Sequence, residues 1–237
     1  MSSAPENSAR ANLPPFVLAV AFGSTAYIAS FTAGALVARE ITGSAQLSGL
    51  PSALGTVGTA VAIAVLTGAM GRWGRRAGLI AGLASAVAGA ALMVVAVALA
   101  SFPLLLAGSV AVGFGNAALQ LSRYAASDLV APERRAAAVG IVVWGNTVGA
   151  VLGPNLLQPA AAVAGWLGRT DLEGAIAATV VLFALALLVV VVAVPARRPA
   201  RGPVTRPDDD PRGSSGRLGL LAPLRVRMAL VGMTSAQ

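Results

Sequence analysis

Polar side chains that can hold a solute by hydrogen bonds occur singly inside long apolar runs of this 237-residue chain. Asn116 and Gln120 are four residues apart, so a helix would present both on one face. Asn146 lies in a later apolar run, and Tyr27 lies in the first. We predict that Asn116, Gln120, Asn146 and Tyr27 contact a substrate. The alternative that stays open is ordinary hydrogen bonding between helices.

Catalytic and metal-binding chemistry is excluded by residue types that the chain lacks. It contains no Cys and no His, which excludes disulfides, thiolate chemistry, His-ligated metals, haem and Ser-His catalysis. We therefore expect no enzyme activity, no catalytic residue, no metal and no cofactor. No Asp or Glu falls in the predicted membrane core, where a proton-coupled transporter normally needs one. Either another polypeptide segment supplies that group, or transport is not proton-driven, or the substrate itself carries the coupling.

The elements that must position these side chains are six apolar runs. The chain is 57% hydrophobic and 11% charged, with a mean hydropathy of +0.79, whereas soluble domains are about one-quarter charged. Apolar runs of roughly 20 residues match the thickness of a bilayer core, where the backbone must be helical. The predicted spans are 1, Pro14–Ala38; 2, Leu47–Met70; 3, Ala77–Ala100; 4, Pro103–Ser127; 5, Ala136–Ala160; and 6, Gly174–Val194.

The polar content of the spans repeats with a period of three spans. Spans 1, 2, 4 and 5 carry scattered hydroxyls and amides, whereas spans 3 and 6 offer only Ser85 and Thr179. Intramembrane polar groups avoid lipid, so spans 1, 2, 4 and 5 should line an interior surface. The pattern predicts an all-α membrane protein whose six transmembrane helices form a 3+3 inverted repeat, as in secondary transporters. The alternative is that the hydroxyls bond their own helix backbone.

Arginine residues define the expected orientation and the regions outside the bundle. They cluster after spans 2, 4 and 6, which by the positive-inside rule predicts a multi-pass protein of the cell (plasma) membrane with both termini cytoplasmic. This placement also explains the net charge of +8 without a nucleic-acid partner. Residues 1–13 read as a cytoplasmic leader, 14–194 as the bundle, 195–226 as a disordered basic linker, and 227–237 as the start of a truncated seventh helix.

Two loops contain charged motifs. The loop after span 2 contains Arg72, Gly74, Arg75 and Arg76, which resemble a cytoplasmic loop motif of the major facilitator superfamily. Gly71 stands where the family has an acid. At the end of span 4 the chain reads RYAASDLVAPERR from residue 123. Asp128 and Arg135 are similar to the family's acid and Arg seven residues apart in this loop. Arg123 lies near the predicted membrane surface, where it can also reach water or phosphate.

Span 5 contains the most specific motif. Gly145, Gly149 and Gly153, followed by Pro154, resemble the fifth-helix motif of the drug:proton antiporter branch of the same superfamily. Glycines at a spacing of four also form a smooth face for close helix packing, and Pro154 can bend the helix. In span 4, Ser109 occupies the place of the Arg that the branch links to proton transfer, which weakens that part of the resemblance.

Together these motifs identify the chain as similar to the amino-terminal six-helix half of a major facilitator transporter, closest to the drug:proton antiporter-like branch. The resemblance implies transport, with export expected, of a small organic solute by alternating access. Its implied partners are the lipid bilayer, a small-molecule substrate, and a second transporter half or a second copy of the chain. The alternative is a non-transporting truncated product or a membrane assembly partner.

Overall fold

The computed structural model describes residues 4–127, 135–166, 168 and 170–193. Within these ranges the chain is helical. The helices are α1, Ala4–Thr42; α2, Leu50–Trp73, preceded by a 3-10 turn at Leu47–Gly49; α3, Arg75–Ala98; α4, Phe102–Ser127; α5, Arg135–Asn155; α6, Leu157–Trp166; and α7, Asp171–Ala193.

Membrane-spanning capacity follows the predicted pattern closely. Five helices in the described part are long and apolar enough to cross a membrane, and the bent pair α5–α6 makes six when it counts as one span. The all-helical membrane fold is therefore confirmed at this level. The boundaries differ most at the start, since α1 begins at Ala4 rather than Pro14 and so includes most of the predicted leader. The 3+3 inverted repeat stays a prediction.

Span 5 differs from its prediction as a single helix over Ala136–Ala160. It consists of α5 and α6, which meet at Leu156 with a bend of 48°. Pro154 has no N–H to continue the helical ladder, and Pro159, five residues on, removes a second donor. Span 5 does bend, as the presence of Pro154 predicted, but the bend lies two residues further on, at Leu156. The prediction of one continuous helix was wrong, because two prolines this close together leave a break.

Helix packing places α4 at the centre of one group and α1 at the centre of another. α4 packs against α2 and α3, α1 packs against α5 and α7, and α3 also contacts α7. Small residues allow this closeness. A Cβ added at Gly89 in α3 would lie 2.7 Å from the Gly108 carbonyl oxygen in α4, so the two backbones touch there. The resulting core is rich in fully buried alanines.

Two local features fix the ends of helices. Gly74 joins α2 to α3 with φ +89°, a conformation that side-chain-bearing residues avoid. At the start of α7 the Thr170 hydroxyl accepts from the Glu173 N–H at 3.3 Å, and the Glu173 carboxylate accepts from the Thr170 N–H at 3.2 Å. This reciprocal pair is a capping box. It defines where α7 leaves the loop after α6.

Candidate substrate-contact site

A buried hydroxyl at Thr59 joins α2 to α4. Its side chain is 6% exposed, and its Oγ1 lies 2.9 Å from the carbonyl oxygen of Gly55 and 3.1 Å from that of Gly113 in α4. The Asn116 side-chain amide in α4 donates to the same Oγ1 at 3.3 Å. Thr59 therefore holds the amide end of Asn116 and leaves the Asn116 carbonyl oxygen for another donor.

Tyr27 brings α1 into the same cluster. Its side chain is half-buried and borders a small cavity together with Gly55, whose carbonyl accepts from the Thr59 hydroxyl. Its ring lies 6.1 Å from that of Phe31, one turn further along α1, with the ring planes tilted by 53°. The structure thus brings together two of the predicted contact residues, Tyr27 and Asn116, around a threonine that the sequence prediction did not single out.

Asn146 makes a separate connection between α5 and α1. The hydroxyl of Ser24 donates to Oδ1 of Asn146. Ser24 is 2% exposed and lies three residues before Tyr27, so the two polar connections emerge from neighbouring turns of α1. Hydrogen bonds between side chains therefore link α2 to α4 and α1 to α5, and Tyr27 of α1 shares a small cavity with Gly55 of α2. These are the four helices predicted to line an interior surface.

The structure does not join the other predicted residues of α4 and of the loop after it to this cluster within the part that it describes. Gln120 is exposed on α4, one turn beyond Asn116. Arg123 belongs to the last turns of α4 and Arg135 begins α5. Asp128 lies outside the described residues, and so does the loop in which its pairing with Arg135 was predicted.

Most other hydroxyls in the spans bond their own helix. Thr25 donates to the Ala21 carbonyl at 2.7 Å, Thr56 to that of Ser52 at 3.0 Å, and Ser109 to that of Leu105 at 2.9 Å. For these residues the alternative interpretation, local backbone bonding, is the correct one. Ser24 in α1 bonds another helix instead, and Thr59 in α2 reaches another helix in addition to its own, which is why these two hydroxyls mark the site.

The three glycines of α5 all face α1. A Cβ added at Gly145 would lie 3.2 Å from the Val17 carbonyl oxygen, and one added at Gly149 would lie 2.6 Å from the Ser24 Cβ. A Cβ added at Gly153 would lie 3.0 Å from the Ile28 Cβ. This close approach brings Asn146 within reach of Ser24. The glycine spacing and the polar pair therefore belong to one helix–helix contact.

Open space beside the polar cluster is small. A cavity of about 20 Å³ borders Tyr27 and is also lined by Met93 and Val112. That is room for about one water molecule. A cavity of about 740 Å³ lies elsewhere, between α3, α6 and α7. A solute at the polar cluster would therefore have to lie against its exposed side rather than inside this bundle.

The site offers neutral hydrogen-bond donors and acceptors. Hydroxyl, phenol and amide groups suit an uncharged solute that itself carries donors and acceptors. Among the described residues there is no group of three or more His, Cys, Asp or Glu side chains that could hold a metal ion. The arrangement is suited to binding and orientation.

Comparison with known proteins identifies the family. The family model described as Major Facilitator Superfamily matches residues 16–236. Two uncharacterised MFS-type transporters of Bacillus subtilis, YddS and YdeG, are 37% and 36% identical to the chain over 65% and 67% of its length. The riboflavin transporter RfnT of Brucella anthropi is 31% identical over 63% of the chain.

These matches cover only part of the curated relatives. The aligned segments make up 35% of YddS, 37% of YdeG and 38% of RfnT, so the chain spans little more than a third of their length. No solved structure matches the chain.

Proposed function

Because this chain belongs to the major facilitator superfamily, we propose that it acts in the transport of a small organic solute across a membrane by alternating access. The observation that carries the proposal is the buried polar connection between α2 and α4, in which Thr59 contacts both Gly113 and Asn116. Buried hydrogen-bonding groups inside apolar spans are costly and are usually functional.

The substrate class follows from the chemistry of the cluster. Its side chains are neutral, so a solute with several hydrogen-bond donors and acceptors and no net charge fits best. Riboflavin, the solute in the name of the relative RfnT, is of this class and is the first compound to test. We assign export as the direction, on the resemblance of Gly145, Gly149, Gly153 and Pro154 to the fifth-helix motif of the antiporter branch.

The polar cluster forms one side of the proposed solute path. We assign the opposite side to a second helical bundle, either a second transporter half or a second copy of this chain. Exposed apolar side chains on α2 and α5 support this, because they lie on helices that also carry the polar cluster. Val57 and Val61 in α2 are 55% and 51% exposed, and Trp144 and Val151 in α5 are 73% and 62% exposed. Surfaces of this kind mark contacts with protein or lipid.

Orientation can be tested independently of transport. We assign Arg72, Arg75 and Arg76 to the cytoplasmic side of the plasma membrane, together with both chain termini. Since the chain has no cysteine, an Arg72→Cys variant and a Gly168→Cys variant each carry one reactive thiol. An impermeant thiol reagent applied to intact cells should label Gly168→Cys and spare Arg72→Cys.

The transport experiment uses the full 237-residue chain in liposomes loaded with riboflavin. Its fluorescence reports flux in both directions under proton, sodium or no gradient. The expected result is saturable flux that Asn116→Leu lowers and that Asn155→Leu leaves unchanged. Asn155 is the matched control because its amide donates to the Val151 carbonyl of its own helix at 2.7 Å.

Other uncharged solutes with several donors and acceptors follow in the same assay. Absence of protein-dependent flux with any of these solutes, under any gradient, both for this chain alone and for the chain reconstituted with a second transporter half, would contradict the transport proposal. Flux that Asn116→Leu and Asn155→Leu affect equally would contradict the assigned site.

A further inference from the structure

The bend between α5 and α6 separates two segments that are held by different neighbours. α5 packs against α1 at Gly149, where an added Cβ would lie 2.6 Å from the Ser24 Cβ. α6 packs against α7 and makes few contacts with α5 itself. A Cβ added at Gly174 in α7 would lie 2.7 Å from the Ala160 carbonyl oxygen in α6. The two parts of span 5 are therefore anchored independently.

Leu156 lies at a weak point of the backbone between these two segments. Its N–H is shared between the Leu152 carbonyl at 3.0 Å and the Gly153 carbonyl at 3.3 Å. Pro159 has no N–H, so the helical donor for the Asn155 carbonyl is missing. Hinges in proteins are a few residues at the ends of helices or in loops that absorb the change in backbone angles. Leu156 is therefore the position about which α6 can turn.

A cavity beside α6 gives it room to turn. The cavity has a volume of about 740 Å³ and lies between α6, α7 and the last turns of α3, where Val94 and Ala98 line it. Its wall on α7 includes the small side chains of Ala177 and Ala178. Because α6 has 10 residues and is about 15 Å long, a turn of about 20° at Leu156 moves its far end by about 5 Å. A turn of this size toward α3 narrows the cavity.

The contact between α6 and α7 permits sliding. Ala160 and Ala164 of α6 meet Gly174 of α7, which has no side chain to interlock with them. Outside this contact α6 is open, since Val163 and Trp166 are 59% and 93% exposed, whereas Ala164 is 4% exposed. Packed helices can shear past one another by small displacements, and elements with few buried contacts are those that move most readily.

From these observations we propose that α6 is a hinged lid at the end of the bundle where α3 ends and α7 begins. The lid turns about Leu156 while α5 stays on α1. It alternates between the open position of the structure and a closed position nearer to the end of α3. The inference goes beyond the proposed transport function and does not depend on it, because its readout is a distance within the chain rather than a solute flux.

The first test measures the distance between α6 and α3 in the full chain, reconstituted in lipid nanodiscs. Since the chain has no cysteine, Val95→Cys and Trp166→Cys together give two spin-label positions that are exposed and do not line the cavity. Double electron–electron resonance should show two distances about 5 Å apart, as a turn of about 20° requires. The control pair, Leu36→Cys in α1 with Val151→Cys in α5, should show one distance, because the glycine contact holds these helices together.

The second test blocks the closed position and then the hinge, with the spin labels on α3 and α6. Ala178→Phe adds bulk to the wall opposite α6 and should remove the shorter of the two distances. Ala184→Phe is the matched control, since Ala184 is exposed on the same helix and does not line the cavity. Pro159→Ala restores a donor for the Asn155 carbonyl and should leave a single distance, because a continuous helical ladder resists the turn.

Four outcomes would overturn the proposal. They are a single distance between α3 and α6 in the otherwise unaltered chain, equal distributions for the two phenylalanine variants, two distances that persist in Pro159→Ala, or two distances for the control pair as well. Thermal melting of each variant separates an effect on the lid from loss of fold, and an unfolded Ala178→Phe is replaced by Ala177→Leu.

Discussion

The Ser24 hydroxyl in α1 donates a hydrogen bond to Oδ1 of Asn146 in α5, across a contact in which Gly149 leaves no room for a side chain. The polar pair and the glycine thus depend on each other. Close backbone approach brings the two polar groups together, and their bond in turn fixes the rotation of α5 against α1.

The Ser24–Asn146 pair should be energetically coupled. We expect the double-mutant cycle of Ser24→Ala and Asn146→Ala to give a coupling of about 0.6 kcal/mol, and at most about 1.7 kcal/mol, as for hydrogen bonds between membrane helices. The measurement is the free energy of unfolding by SDS titration in mixed micelles. Thr147→Val is the control, because Thr147 donates to its own helix at the Val143 carbonyl. Fully additive single substitutions would contradict the pairing.

A side chain at Gly149 should force α1 and α5 apart. Gly149→Ala places a Cβ 2.6 Å from the Ser24 Cβ and 2.8 Å from the Thr25 nitrogen, and a backbone atom cannot yield as a flexible side chain can. We expect a loss of about 1–3 kcal/mol, typical of overpacking. Gly140→Ala in the same helix meets nothing within 4 Å and should be neutral or slightly stabilising. Equal melting temperatures for the two variants would rule out the contact.

The Thr59 hydroxyl should matter more for solute binding than its small size suggests. Thr59→Val keeps the shape but removes the hydroxyl that accepts a hydrogen bond from the Asn116 amide, so we expect solute affinity to fall about tenfold. Thr56→Val is the control, since Thr56 is exposed and bonded to its own helix. The comparison uses riboflavin or the transported solute in the liposome assay. Restoration of affinity by Thr59→Ser would separate the hydroxyl from the packing of the methyl group.

Hydropathy predicted the spans well because a bilayer imposes one length on every crossing helix. Hydropathy did not predict the break between α5 and α6 at Leu156. That break depends on Pro154 and Pro159 together, whereas the sequence interpretation of span 5 considered Pro154 alone. The loop after α4, with Asp128, lies outside the described residues, so its predicted charge pairing stays a prediction.

The polar site was only half visible in the sequence. Asn116 and Asn146 stand out as amides in apolar runs, whereas Thr59 looks like any other threonine of span 2. What distinguishes it is a contact with Gly113, where a Cβ would lie 2.8 Å from the Thr59 nitrogen. That proximity depends on the packing of α2 against α4, which no local spacing encodes. Gly55 and Gly113 were the available signal, since small residues on two helices indicate close approach.

The guanidinium of Arg76 should stabilise the end of α7. It lies in the first turn of α3, where a positive charge is unfavourable to its own helix, yet it donates to the Val191 carbonyl at 2.6 Å. That carbonyl is among the last four of α7, which have no partner within the helix. Arg76→Gln should therefore destabilise the chain by about 1 kcal/mol, the upper range for a cation at an exposed helix end.

The measurement is the melting temperature of the Arg76→Gln variant in detergent, compared with that of the Arg72→Gln variant. Arg72 is exposed in the last turn of α2 and tests the loss of one positive charge from the same loop. Raising the salt concentration should weaken the effect of Arg76→Gln only partly, because a hydrogen bond at 2.6 Å is less screened than a distant charge. Equal melting temperatures for the two variants would show that Arg76 contributes only as part of the basic loop.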